Sequence, residues 1–367
     1  MLYKYFLSIK ESVSVFNLFE YITFRSAIAA MTALIISFII GPYIIKKLKK
    51  YQIGEEIRNN GPKTHLIKRG TPTMGGVIII VAALLPTLMF SNLDNNMIKI
   101  VILSTVWMAI IGFVDDYMKV IKKIEKGMIG RYKMIGQITL GILISYLIVN
   151  SNEFIDFTTK TTVPFLKNVE IDLGLAYPIM VIIVITATSN AVNLTDGLDG
   201  LAVGLLAICF SVFAAVSYIS GRLDFSDYLN ILYLPGAGEL SVFSSAMVGA
   251  CLGFLWFNAS PAEIFMGDTG SLSTGAALGT LAIVLKKELL LFIIGGVFVF
   301  ETISVIIQVL FFRYTKNKYG EGKRFFNMAP IHHHYELAGI KENKIVVRFW
   351  IVGILLALFS LATFKIR

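Results

Sequence analysis

Four polar groups interrupt an otherwise apolar sequence, and each carries side chains that could take part in chemistry. The groups are Asp115-Asp116, Asn190 to Gly200, Phe265 to Ser271, and Ala329 to Glu336. In the first group, two adjacent carboxylates end an apolar run, and burying them is costly unless a cation neutralises them. A divalent metal or a lysine beside them is therefore predicted, and Lys119 follows Asp115 by one helical turn. A solvated ion pair at a helix end is the simpler alternative.

The second group has the composition of a sugar or nucleoside site. Asn190, Asn193 and Asp196 follow one another at three-residue spacing, so they form one polar stripe if the preceding helix continues into the turn. Glycines follow Asp196 and Asp199, and glycine lets a ligand approach the backbone closely. A capping turn explains one such Asp-Gly pair, whereas four polar side chains favour a binding site.

The third group opens another apolar run, where the free N–H groups of a helix start attract phosphate. Asp268 could bind the Mg²⁺ that accompanies a phosphate, because Mg²⁺ prefers carboxylate, phosphate and water oxygens. A plain helix cap is the alternative. Phe265, three residues earlier, could stack on a base or simply pack in its loop.

Three of the four histidines are consecutive, at His332, His333 and His334. Consecutive residues of a helix cannot all face one ligand, so we expect contacts with anionic groups rather than a zinc site. The apolar run before them, 288–312, contains Glu301 and Gln308 and is too long and too polar for a plain crossing. A kink, or a helix end that projects from the membrane, is expected there.

The composition places these groups in a membrane protein. Hydrophobic residues make up 56% of the 367 residues and charged ones 16%, and the mean hydropathy is +0.74. Globular proteins carry about 45–50% apolar and about 25% charged residues, so this surplus excludes a soluble enzyme and a disordered protein. Cys209 and Cys251 lie within apolar runs, and two cysteines cannot build a disulfide framework.

Ten apolar runs are long enough for helical crossings, because a bilayer core needs about 20 apolar residues. No polar stretch is long enough for a separate soluble domain, so residues 1–367 are predicted to form one all-α integral membrane domain. The predicted crossings are 24–45, 73–92, 97–114, 133–150, 175–192, 198–219, 240–258, 270–286, 288–312 and 345–364.

Lysines and arginines predict the orientation of the chain. The connections on the side of the four polar groups, together with Arg348, hold 22 of the 33 basic residues. By the positive-inside rule this side is cytoplasmic, and both termini are extracytoplasmic. The net charge of +9 follows largely from this bias. The basic residues lack the interleaved aromatic residues of a strand-binding groove, so no nucleic-acid partner is expected.

Together, the four groups in this order resemble the signatures of the polyprenyl-phosphate N-acetylhexosamine-1-phosphate transferase superfamily. Asn190 to Gly200, Phe265 to Ser271 and Ala329 to Glu336 match its motifs, and the resemblance covers almost the whole chain. The Pro-Ile-His-His-His form at 330–334 is most similar to the phospho-N-acetylmuramoyl-pentapeptide transferase branch.

This resemblance implies transfer of phospho-N-acetylmuramoyl-pentapeptide from UDP-N-acetylmuramoyl-pentapeptide to undecaprenyl phosphate. The products would be lipid I, a precursor in peptidoglycan synthesis, and UMP. The resemblance also implies Mg²⁺ as the cofactor and a homodimer in the bacterial cytoplasmic membrane, with the active site on the cytoplasmic face.

Individual residues acquire expected roles from the same resemblance. Asp115 would act on the lipid phosphate, Asp116 would organise the site, and Asp268 would ligate Mg²⁺. The implied catalytic residues are Asp115, Asp116, Asp268 and His332. The implied substrate-binding residues are Lys68, Lys119, Asn190, Asn193, Asp196, Asp199, Phe265, Gln308, His333 and His334.

Other functions are compatible with parts of the sequence. A transporter also places polar residues near membrane spans, although it predicts charges near the midplane on broken helices. A UDP-N-acetylglucosamine transferase of the same superfamily is the nearer alternative. An ATP-driven pump is not expected, because the sequence has no Gly-x4-Gly-Lys-Ser/Thr phosphate loop. For a transferase, we expect direct attack by the lipid phosphate, with an aspartyl intermediate as the competing scheme.

Overall fold

The computed structural model describes residues 2–11, 13–50, 70–124, 127–166 and 169–365. These ranges are mostly helical, as the apolar runs predict. The first seven α-helices are α1 (Leu2–Ser8), α2 (Ile22–Lys50), α3 (Gly76–Phe90), α4 (Asn96–Val120), α5 (Gly130–Val149), α6 (Tyr177–Thr195) and α7 (Leu201–Ser220). The remaining ones are α8 (Leu223–Leu229), α9 (Leu240–Asn258), α10 (Gly267–Val284), α11 (Glu288–Ile294), α12 (Gly296–Tyr319), α13 (Ile331–Leu337) and α14 (Glu342–Ala362).

Each of the ten predicted crossings overlaps a helix or a pair of helices. Within the described residues, eight helices are long and apolar enough to cross a bilayer, namely α2, α4, α5, α6, α7, α9, α12 and α14. The eight helices confirm an integral membrane protein of predominantly α structure. The helices α3 and α10 are the other two overlaps, so ten crossings and the orientation of the termini stay predictions.

Helix α10 lies inside the bundle, which explains its unusual composition. Every residue from Asp268 to Val284 is buried, and the helix packs against α3, α4 and α6. Small residues permit this close packing: a Cβ on Gly112 of α4 would lie 2.3 Å from the Asp268 carbonyl oxygen. Because α10 contacts protein on all sides, its glycines, serines and threonines are not exposed to lipid.

The ninth predicted run is divided into two helices. Helix α11 ends at Ile294, and α12 begins at Gly296 and continues to Tyr319, beyond the predicted end at residue 312. The expected kink is therefore present, and it occurs at a glycine pair. Glycine pairs are a common cause of helix kinks.

A short antiparallel hairpin is the exception to the all-α prediction. It pairs β1 (Lys160–Thr162) with β2 (Glu170–Asp172). The Thr161 hydroxyl donates to the Glu288 carboxylate at 2.6 Å, and the Thr162 hydroxyl donates to the Lys286 carbonyl at 2.6 Å. The hairpin is thus bound to the carboxyl end of α10, which is the end away from Asp268.

A buried ion pair ties the beginnings of α2 and α9 together at the same end of the bundle. The Arg25 guanidinium donates to both carboxylate oxygens of Glu239, at 2.8 and 2.7 Å. It also donates to the Phe90 carbonyl at 3.1 Å, and the Asn92 N–H donates to Glu239 at 2.9 Å. These contacts hold α2, the end of α3 and the start of α9 in one arrangement.

Arg25→Ala should lower the free energy of unfolding by about 3–5 kcal/mol, because it leaves the Glu239 carboxylate buried without its partner. A denaturant titration in detergent, followed by tryptophan fluorescence, measures this loss. Arg222→Ala is the control, since it removes an exposed ion pair with Asp224 and should leave the midpoint nearly unchanged. Equal effects of the two variants would contradict the importance given to the buried pair.

Candidate active site

Three carboxylates that are far apart in the sequence meet in one buried cluster. Asp115 and Asp116 lie near the end of α4, and Asp268 lies in the first turn of α10. One potential ligand oxygen from each residue lies within 4.8 Å of the other two, and all three residues are buried. The first and third polar groups of the sequence therefore form a single site.

Asp116 caps the amino end of α10. Its carboxylate accepts the N–H groups of Asp268 and Thr269, at 3.0 and 2.9 Å, and the Thr269 hydroxyl at 2.6 Å. Gly267 makes this approach possible, because its φ is +71° and a Cβ there would lie 2.8 Å from Asp116 Oδ2. The expectation that the N–H groups at this helix start are free to bind phosphate is thus wrong for Asp268 and Thr269, because Asp116 accepts both of their N–H groups.

Asp115 is fully buried and is bound on both of its oxygens. Its Oδ1 accepts the Met128 N–H at 2.6 Å, while its Oδ2 contacts Lys119 at 2.5 Å and Lys133 at 2.8 Å. The predicted lysine beside the aspartate pair is therefore present, together with a second one. Asp115 therefore binds both ammonium groups from the buried side of the site.

Asp268 shares the same two lysines and is oriented from its other oxygen. Its Oδ2 contacts Lys119 at 3.2 Å and also forms a close ion pair with Lys133. Its Oδ1 accepts a hydrogen bond from Asn193 Nδ2 at 2.9 Å. The same amide lies 2.8 Å from the Ser271 hydroxyl. Helix α6 thereby fixes the carboxylate of α10.

The donors and charges of this cluster fit a divalent cation that prefers oxygen. All three acidic side chains offer carboxylate oxygens, the ligands that Mg²⁺ prefers in proteins. Three carboxylates against two ammonium groups leave one net negative charge. The lysine side chains are 36% and 21% exposed, so the open edge of the site is cationic and suited to phosphate.

The second polar group is only partly joined to this cluster. Helix α6 continues to Thr195, as the stripe of Asn190, Asn193 and Asp196 requires, and within that stripe Asn193 donates a hydrogen bond to Asp268. Asn190 donates to Gln137 at 3.2 Å and to the Thr186 carbonyl at 2.7 Å. Asp196 ends α6 and is partly exposed. The substrate-binding roles of these residues stay predictions.

Other predicted substrate-binding residues make contacts between loops and helices. Asp199 accepts the Ala262 N–H at 3.1 Å, and Gln308 accepts the N–H groups of Phe325 and Phe326 at 3.2 and 2.9 Å. Phe265 is partly exposed; its backbone pairs with the segment before α3, with the Gly75 N–H 2.8 Å from its carbonyl oxygen. Lys68 lies outside the described residues.

The three histidines point to different partners, as consecutive residues must. His332 is fully buried, and its Nδ1 lies 3.1 Å from Glu301 Oε2. His333 Nδ1 lies 2.7 Å from Glu336 Oε2, whereas His334 Nδ1 accepts the Asn327 N–H at 3.2 Å. The three rings therefore make contacts with three different parts of the chain.

Lys133 is the site residue that sequence reasoning missed. It lies in the first turn of α5. In the sequence it counts only as one of the basic residues that predict the orientation of the chain. A lone lysine at the start of an apolar run was the available signal. Its separation from Asp115 has no helical periodicity, because the chain turns between α4 and α5, so only the fold reveals the contact.

Known proteins match the sequence over most or all of its length. The family model described as Glycosyl transferase family 4 matches residues 97–286, and Phospho-N-acetylmuramoyl-pentapeptide-transferase signature 1 matches residues 68–80. A relative from Thermodesulfovibrio yellowstonii is 51% identical and one from Citrifermentans bemidjiense 50% identical, each with 100% of both chains covered. A third, from Chloroherpeton thalassium, is 50% identical over 95% of this chain and 94% of its own. All three are named Phospho-N-acetylmuramoyl-pentapeptide-transferase.

Asn193→Ala should weaken Mn²⁺ binding about 10–100-fold, because it removes the hydrogen bond that orients Asp268. Titration of the purified protein with Mn²⁺, followed by electron paramagnetic resonance, measures the affinity. Asn190→Ala is the matched control, since its amide lies one turn earlier on α6 and binds Gln137 instead. Equal affinity in Asn193→Ala and the wild type would argue against a metal on Asp268.

Proposed function

The chain belongs to the phospho-N-acetylmuramoyl-pentapeptide-transferase family, and we propose that the cluster of Asp115, Asp116, Asp268, Lys119 and Lys133 is its catalytic centre. The enzyme transfers phospho-N-acetylmuramoyl-pentapeptide from UDP-N-acetylmuramoyl-pentapeptide to undecaprenyl phosphate. This reaction yields lipid I and UMP in peptidoglycan synthesis. The observation that carries the catalytic assignment is the pair of lysines held between two buried carboxylates at the open edge of the site.

The lysines receive phosphate oxygens in this proposal. Phosphoryl transfer depends mainly on positioning and on neutralising charge at the phosphoryl oxygens. Lys119 and Lys133 supply two ammonium groups at fixed positions, because Asp115 and Asp268 bind both of them. Asp115 is fully buried, so it acts through these lysines as a positioning residue and not by touching the lipid.

The reaction needs no general base. The second pKa of a phosphate monoester is about 6, so the lipid phosphate is mostly dianionic at neutral pH. One of its oxygens attacks the sugar-bearing phosphorus of the donor and forms the new P–O bond. The bond from that phosphorus to the bridging oxygen breaks, and UMP leaves with the electron pair. Charge and atoms balance without a proton.

The contacts of Asp116 favour this direct attack over an aspartyl intermediate. Both of its oxygens accept hydrogen bonds from the start of α10, and a nucleophilic carboxylate would have to give these up. Asp116 is therefore a positioning residue that places Asp268. The aspartates of α4 thus position other groups of the site, and no bond to the transferred phosphorus forms on them.

Mg²⁺ is the metal we propose for this centre. Asp268 would hold it, within a cluster of three carboxylates whose oxygens are the ligands that Mg²⁺ prefers. When bound, the metal supplies further neutralisation of the phosphoryl oxygens. Asn193 keeps the Asp268 carboxylate oriented for this purpose.

The position of the cluster supports an active site at the cytoplasmic face of the bacterial membrane. The cluster lies near the ends of α4 and α6 and the beginnings of α5 and α10, which is one end of the bundle. This is the side with most basic residues, and the positive-inside rule makes it cytoplasmic. A transporter would instead place such charges near the midplane. We also propose that the enzyme works as a homodimer.

Asp268→Asn should reduce UMP release from UDP-N-acetylmuramoyl-pentapeptide and undecaprenyl phosphate by about 10²–10³-fold, because one electrostatic contributor to the transition state is lost. Purified protein in detergent with Mg²⁺ is the system to assay. Asp224→Asn changes an exposed carboxylate on α8 and serves as the control. Lipid-dependent turnover by the wild type with only UDP-N-acetylglucosamine would contradict the assigned donor, and full activity of Asp268→Asn would contradict the assigned centre.

A further inference from the structure

A buried acid and a buried histidine form a pair outside the aspartate cluster. Glu301 is on α12, His332 is in the first turn of α13, and neither side chain has any exposed surface. Nδ1 of the ring lies 3.1 Å from Oε2 of the carboxylate. The pair joins two helices that are separated in the chain by a basic loop.

The two side chains approach each other as a buried ion pair that does not have the geometry of a hydrogen bond. Both ring nitrogens and both carboxylate oxygens lack a hydrogen-bond partner of good geometry in the described part of the chain. Burying polar groups in this way costs free energy unless they are paired. Within the described residues, the Nδ1 to Oε2 approach is the one polar contact of the ring, so it is the interaction available to orient it.

The opposite edge of the ring is closed by the backbone. A Cβ on Gly197 would lie 2.3 Å from His332 Nε2, so any side chain at residue 197 would displace the imidazole. Gly197 lies in the turn between Asp196 and Asp199. Because Nε2 faces this turn and the residue is fully buried, a substrate atom has no access to it.

We propose that Glu301 and His332 form a positioning pair. The Glu301 carboxylate fixes Nδ1 of His332, and the His332 ring holds α13 in contact with the turn at Gly197. Neither group reacts with substrate. The pair instead sets the position of His333 and His334 relative to Asp196, the residues expected to bind the UDP donor. This inference rests on the proposed function, and it replaces the catalytic role expected for His332 with a structural one in donor binding.

Steady-state kinetics of single and double variants test the pair. Glu301→Ala and His332→Ala should each raise the KM for UDP-N-acetylmuramoyl-pentapeptide at least about 10-fold, with a smaller change in the KM for undecaprenyl phosphate. The double variant should be no worse than the poorer single one, because each change removes the same contact. Glu321→Ala, an exposed acid beyond α12, is the matched control and should resemble the wild type.

Two amide variants separate positioning from proton transfer. Asparagine can place its amide nitrogen near the position of Nδ1, whereas glutamine reaches toward Nε2. Positioning predicts that His332→Asn recovers most of the donor affinity and that His332→Gln does not. Additive losses in the double variant, or a fall in kcat without a change in donor KM that asparagine fails to rescue, would overturn the proposal.

Hydrogen exchange tests the pair without any substrate. In Glu301→Ala and His332→Ala, backbone amides of 195–200 and 331–337 should exchange faster by the same factor, while α10 stays protected. Unchanged exchange in both segments would overturn the positioning pair. An inactive wild type with the expected exchange pattern would instead reject the proposed reaction and leave the pair in place.

Discussion

The hydrogen bonds between Asp116 and the start of α10 are the interaction on which the rest of the site depends. A buried carboxylate and the unpaired N–H groups of a helix start are each costly alone, and each satisfies the other here. They lock α4 to α10, so that Asp115 and Asp268 come together. Gly112 lets the two backbones approach closely enough for this contact.

Charge then decides what this arrangement can bind. Lys119 and Lys133 neutralise most of the buried negative charge, and their partial exposure turns the open edge toward anionic groups. In this account the carboxylates bind the two lysines and a metal, and they do not act as bases. A membrane enzyme that transfers a phospho-sugar from a charged nucleotide carrier to a lipid phosphate, with release of UMP, needs such a site at the end of its helices, where both substrates can reach it.

Much of the fold was predictable, because lipid imposes length and polarity on each crossing helix. The kink before α12 also followed from the excessive length of one apolar run. Local signals could not show which helix is interior, so 270–286 was predicted as a crossing like the other nine, whereas α10 is buried from Asp268 to Val284. The partners of Asp116 and Lys133 could not be predicted either, because these contacts join distant segments. The β1–β2 hairpin is too short to carry a periodic signal.

The most direct test of the central claim is a structure of the protein with Mn²⁺, located by its anomalous scattering. We expect one ion about 2.1 Å from a carboxylate oxygen of Asp268, the distance typical of Mg²⁺ sites. Asp116 should still accept the N–H groups of Asp268 and Thr269. An ion bound to Asp116, with those two amides released, would contradict the division of roles between the aspartates.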